Sequence, residues 1–86
     1  MAYTVQFTES AQKDCKKLPR KKLDKIQSAL EEELARSPQT SGYKLEGELK
    51  GYFSMHVAEY RIVYQIRAAE RKVIIYRIRH RKDVYR

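Results

Sequence analysis

The stretch from Gly51 to His80, GYFSMHVAEYRIVYQIRAAERKVIIYRIRH, decides the fold. Between Tyr52 and Val57 the residues alternate: Phe53, Met55 and Val57 fall on one face, and Tyr52, Ser54 and His56 on the other. A strand with one buried face requires this period of two, because successive Cβ atoms point to opposite sides of a sheet. The pattern resumes after a short hairpin at Ala58-Glu59, with Tyr60, Ile62, Tyr64 and Ile66 expected inward and Arg61, Val63, Gln65 and Arg67 outward. The polar turn Ala68-Ala69-Glu70-Arg71 leads into a last strand from Lys72 to about His80. Ile74, Tyr76 and Ile78 are expected to point inward from it, and Arg77 and Arg79 outward together with Val73 and Ile75. Three strands joined by short turns make an antiparallel meander.

Upstream, residues 3–7 alternate Tyr3, Val5 and Phe7 against Thr4 and Gln6, which predicts a first strand. Thr8 is placed to cap a helix with its hydroxyl, Glu9 sits in the electropositive first turn, and Ala11, Cys15 and Leu18 share one face. Cys15 therefore reads as a core residue. Pro19 suits the first turn of a second helix, whose stripe of Leu23, Ile26, Leu30 and Leu34 runs to an end near Ser37-Pro38. Tyr3, Tyr60, Tyr64 and Tyr76 are read as core tyrosines, and Leu45 and Leu49 as packing before the meander. The expected architecture is α+β, one domain over residues 1–86: an N-terminal strand, a helical hairpin, then the three-stranded meander, all in one sheet. With the hairpin on one face, the other is left open, carrying Arg61, Arg77 and Arg79 and lined by Tyr52 and His56.

Charge points to the partner. Nineteen Lys and Arg against eleven Asp and Glu leave +8. Eight basic and six acidic groups lie in residues 1–43, and eleven and five in residues 44–86, so the halves hold +2 and +6. A surplus of this size draws polyanions, and nucleic acid is favoured over small neutral ligands. Lys16, Lys17 and Arg20 at the helix junction read either as a solvated face or as contacts to an RNA backbone. One cysteine permits no internal disulfide and suits a reducing compartment. The start MAYTVQFTES lacks the pattern of a signal peptide, and a cytoplasmic location is expected.

RNA carries its own nucleophile, the 2′-hydroxyl, so a small protein can cleave it by arranging a base, an acid and a positive charge around one phosphate. Arg61 and Arg81 are the candidates for the charge, since a guanidinium pairs two phosphate oxygens at once. His56 and His80 are the candidates for proton transfer, their positive neighbours favouring the neutral, proton-accepting ring. Tyr85 can stack on a base or donate its phenol proton. Arg77, Arg79 and Lys82 join Lys16, Lys17 and Arg20 as expected RNA contacts. The acids of the second half, Glu46, Glu48, Glu59, Glu70 and Asp83, show no metal-binding spacing, and no metal or other cofactor is expected.

Two segments, Glu59-Tyr60-Arg61-Ile62-Val63-Tyr64 and His80-Arg81-Lys82-Asp83-Val84-Tyr85, resemble the RelE/ParE toxin superfamily, and the order of elements agrees over nearly the whole chain. The resemblance implies a type II toxin–antitoxin component which, in RelE-like members, enters the ribosomal A site and cuts mRNA. It implies phosphate and transition-state roles for Arg61 and Arg81, a stacking or proton-transfer role for Tyr85, and a functional histidine at His80. A cognate antitoxin, the ribosome and mRNA are the partners implied, and a groove beside the helical hairpin is the expected seat for the antitoxin. Some RelE proteins carry basic residues where this chain has Ser54, Met55 and His56, which leaves the general base open. ParE-like members poison DNA gyrase without cleaving anything, and a basic docking module is a third alternative.

Overall fold

The computed structural model describes residues 2–84. Strand β1, Thr4–Phe7, is followed by helix α1, Glu9–Lys16, and helix α2, Arg20–Ala29, which continues through a wide π turn over Leu30–Leu34. A short helix α3, Pro38–Ser41, and a two-residue strand β2, Tyr43–Lys44, lead to the meander of β3, Phe53–Val57, β4, Tyr60–Arg67, and β5, Lys72–His80. A final turn of helix, α4, spans Arg81–Val84. The strands form one sheet in the order β1-β5-β4-β3-β2, with β1 parallel to β5 and every other pair antiparallel. The α+β class and the meander are as the periodicity predicts. Strand β2 was not anticipated, since two residues carry no periodicity.

Local chemistry accounts for the helices. The Thr8 hydroxyl accepts from the Ala11 N–H at 3.1 Å, closing one of the amides that the first turn of α1 leaves unpaired. Ile26, Leu30 and Leu34 recur every fourth residue, a spacing that drifts about 40° per step around an α-helix. The π turn, in which the Ala35 N–H donates to the Leu30 carbonyl at 2.8 Å, absorbs that drift. All three side chains are buried as a result, packing with Ala11 against Met55, Ile62, Tyr64, Val73, Ile75 and Ile78. Cys15 packs at the margin of this core. Burial, and then the negative charge of Asp14, push its thiol up and away from the reactive thiolate.

On β5 the expected phase fails. Val73 and Ile75, expected outward, are fully buried, whereas Tyr76, expected in the core, is 41% exposed and Ile74 is only half-buried. The cause is a bulge: Tyr64 of β4 faces Ile75 and Val63 faces Arg77, so Tyr76 has no opposite number. One extra residue reverses the parity of the strand, and Ile78 returns to the core beyond it. Tyr60 and Tyr64 are buried as expected, and burial raises the Tyr64 phenol to about 12, where it stays protonated and donates to the Pro38 carbonyl at 2.8 Å.

Gly42 marks the tightest approach. Its backbone is extended, but a Cβ there would collide with the Ser54 carbonyl oxygen and sit 2.8 Å from the Tyr64 hydroxyl. Gly42→Ala is therefore expected to prise β2 from β3 and cost about 1–3 kcal/mol, read as a lower denaturation midpoint. An unchanged midpoint would show that the β2 edge yields freely.

Candidate nucleic-acid interface

Strand β1 ends at Phe7 while β5 runs on to His80, so the outer edge of β5 loses its strand partner half-way. Helix α1 takes over. The Thr8 hydroxyl donates to the Tyr76 carbonyl at 2.8 Å, and the buried Asp14 carboxylate accepts from the Ile78 N–H at 2.9 Å. Asp14 also receives both arms of the Arg77 guanidinium, Nε at 2.9 Å and Nη2 at 3.2 Å. Burial alone would raise the Asp14 pKa, but the hydrogen bonds from Arg77 and Ile78 and the charges of Arg77 and Arg79 hold it below its ordinary value. Arg77, expected as an RNA contact on the open face, fastens β5 to α1 through this pair. The sequence held one signal of this: Asp14 falls on the same helix stripe as Ala11 and Leu18, where an acid is unusual unless paired.

On the face away from the helices, register sets up a row. His56 of β3 lies opposite Arg61 of β4, and Arg61 lies opposite Arg79 of β5. Directly opposed side chains stand roughly 4.5–5.5 Å apart at Cβ, and like charges so placed repel. Among the described residues, neither Arg61 nor Arg79 belongs to an ion pair. The Arg61 Nε donates to the hydroxyl of the fully buried Ser54 at 2.7 Å, which aims the rest of the guanidinium. Two neighbouring guanidiniums thus stand on this face without an ion pair of their own, although the charge of Arg79 also reaches Asp14.

The chain leaving β5 closes on the same end of the sheet. The Arg81 N–H donates to the Glu59 carbonyl at 2.8 Å, tying the start of α4 to the β3–β4 hairpin, and the Arg81 side chain is exposed. From the other side, the Lys22 ammonium meets the Glu59 carboxylate at 2.7 Å, fastening α2 to that hairpin. The hydrogen bond from Lys22 keeps the Glu59 carboxyl below its ordinary value.

The family model described as the ParE toxin of the type II parDE toxin–antitoxin system matches residues 5–85. The chain belongs to the RelE/ParE toxin superfamily. Toxin RelG of Mycobacterium tuberculosis is 40% identical over 86 residues, covering the whole of this chain and 99% of the relative. The crystal structure of the toxin–antitoxin complex RelBE2 from the same organism superposes with a TM-score of 0.89 at 36% identity, over 93% of this chain and 99% of that one. The isolated Escherichia coli RelE toxin gives a TM-score of 0.77 at 28% identity, over 98% and 92%.

Within this RelE/ParE fold the expected site residues divide. His56, Arg61 and Arg79 come together on the open face. His80 does not join them: it lies opposite Tyr60, on the helix-covered face, its ring edge-on to the Tyr60 ring at 5.3 Å. Its Nδ1 accepts from the Lys82 N–H at 3.1 Å, which places the proton of a neutral ring on Nε2. His80 lines a cleft of about 250 Å³ together with Asp14, Lys17, Tyr60, Arg77 and Arg79, so Arg79 borders both this cleft and the row. Lys16, Arg20 and Lys82 are exposed at the margins of this end. Tyr85 lies outside the described residues. Among the described residues no cluster of three or more His, Cys, Asp or Glu has the makings of a metal site, and no helix is long and apolar enough to cross a membrane.

Proposed function

We propose that this RelE/ParE toxin is an endoribonuclease that cuts mRNA in the ribosomal A site, in the cytoplasm, without a metal ion. The observation that carries the reading is the row His56–Arg61–Arg79, an imidazole beside two guanidiniums neither of which forms an ion pair among the described residues. In the proposed reaction the 2′-oxygen attacks the adjacent phosphorus and the bond from phosphorus to O5′ breaks, giving a 2′,3′-cyclic phosphate and a 5′-hydroxyl. Arg61, Arg79 and Arg81 neutralise the charge that builds on the phosphoryl oxygens. His56 is the proton-transfer group of the row, and Tyr85 the second partner in proton transfer or stacking. His80, with Nδ1 engaged, offers an Nε2–H donor to the RNA. Lys17 and Lys82 guide the backbone on this end of the sheet, and Lys16 and Arg20 extend the positive rim.

A cognate antitoxin is the proposed partner, on the precedent of the RelBE2 complex. A groove of about 430 Å³ between β1 and α2, lined by Val5, Phe7, Leu30 and Ala35, suits the apolar face of a partner segment.

The reading is tested by brief expression in a bacterial host, with mRNA 5′ ends mapped on translating ribosomes for the wild type and Arg81→Ala. New ends within A-site codons, lost in the variant, are expected. Growth arrest with intact mRNA and induced DNA damage would overturn the reading in favour of gyrase poisoning. No effect at all would favour a docking role.

A further inference from the structure

Beyond the arginine row, the open face carries a second feature that no part of the proposed chemistry uses. The rings of Tyr52, just before β3, and Tyr76, at the β5 bulge, lie with centroids 5.0 Å apart and planes tilted by 48°. Strands β3 and β5 are separated by β4, so their backbones stand roughly 9–10 Å apart, and the two rings meet only by leaning over β4 from either side. Val63, next to the bulge on β4, is on the open face and yet only 7% exposed. Tyr76 remains 41% exposed, one of the few large apolar side chains so displayed among the described residues. The bulge is what puts it there, and bulges recur where a side chain is re-aimed for use.

We infer that Tyr52 and Tyr76 form a stacking platform for an unpaired nucleobase of a single-stranded RNA whose phosphate lies on the Arg61–Arg79 row. Charge and distance favour this occupant. Tyr76 is three residues from Arg79 along β5, roughly 10 Å, the reach of a neighbouring nucleotide rather than of the one being cut. Beyond the platform, Arg67 and Lys72 face each other on the same side of the sheet; Arg67 is paired with Glu70 at 3.8 Å, which leaves Lys72 to flank the aromatic pair on the side away from the row. Alternating cations and aromatic faces are what single strands bind to, since every base has a π face. Gln65, half-buried on this face between Val63 and Arg67, supplies an amide able to read a base edge.

The inference rests on the RNA reading of the arginine row but is tested separately from cleavage. The chain contains no tryptophan, so Tyr76→Trp installs a single tryptophan on the platform, excited selectively at wavelengths that the remaining tyrosines do not absorb. The purified full chain carrying it is titrated with a short 2′-O-methyl RNA, which cannot be cut, and with the same oligonucleotide made abasic. Quenching by the first and not the second is expected. In binding measurements Tyr76→Leu, which keeps an apolar side chain at the bulge, is expected to weaken affinity between about fivefold and a hundredfold, and Tyr76→Phe to restore it. Equal affinity of Tyr76→Leu and wild type, equal quenching by the abasic strand, or quenching by the antitoxin alone would each overturn the platform. Base-dependent quenching in a protein that cuts no mRNA would leave the platform standing and remove the nuclease reading instead.

Discussion

Arg61→Ala is expected to slow cleavage of ribosome-bound mRNA by roughly 10²–10³, the usual cost of removing one preorganised donor from a developing anion. The effect should fall on the chemical step. Arg61 is aimed by the Ser54 hydroxyl and stands beside Arg79, so its charge is in place before the RNA arrives. Arg61→Lys keeps the charge and loses the fork, and should fall between the two. The fold should tolerate the alanine. Loss of the bond to Ser54 is offset by relief of the repulsion from Arg79, and a thermal shift of only a few degrees is expected. Single-turnover cleavage on programmed ribosomes reads the rate, and a normal rate in Arg61→Ala would remove the row from the active site.

The second large effect is on stability. Asp14→Ala leaves the buried Ile78 N–H without an acceptor and Arg77 without its carboxylate, on the stretch of β5 whose outer edge has no strand partner. The cost is expected to be about 2–3 kcal/mol, below that of a fully buried pair because Arg77 reaches solvent. In a chain of this size that lowers Tm on the order of 10–20 °C. Because the folded-state pKa of Asp14 is depressed, its contribution is complete above the ordinary carboxylate value and is lost as pH falls through the folded one. The gap in stability between wild type and Asp14→Ala should thus be level near neutrality and close below about pH 4. Asp14→Asn keeps an acceptor for Ile78 and should sit between them with less pH dependence. A gap that stays constant into acid would mean that the carboxylate is not what holds β5.

The two effects separate the roles of arginines that look alike in the sequence. Arg77 and Arg79 are two residues apart, yet Arg77 is paired with Asp14 whereas Arg79 is exposed and forms no ion pair among the described residues. Arg77→Ala is accordingly expected to lower stability, so any loss of RNA binding in it has to be read against that loss.

Much of this protein was legible without coordinates. Alternation over residues 52–67 gives β3, β4 and their hairpin, because a half-buried strand must place apolar side chains on one side. Thr8, Pro19 and the leucine stripe mark the helices through capping and burial, which are local. The two motifs around Arg61 and Arg81 carry the resemblance to the RelE/ParE superfamily, and charge asymmetry points to the half of the chain that holds the row. What the tertiary structure alone decided are the long-range pairings. The run Val73-Ile74-Ile75 is apolar in either phase, so only the bulge opposite Val63 and Tyr64 determines which residues enter the core. Asp14 and Arg77 are 63 residues apart, and their pairing depends on β1 stopping short of the end of β5. His56 and His80 look equivalent in sequence but lie on opposite faces, because register rather than neighbourhood assigns a side chain to a surface.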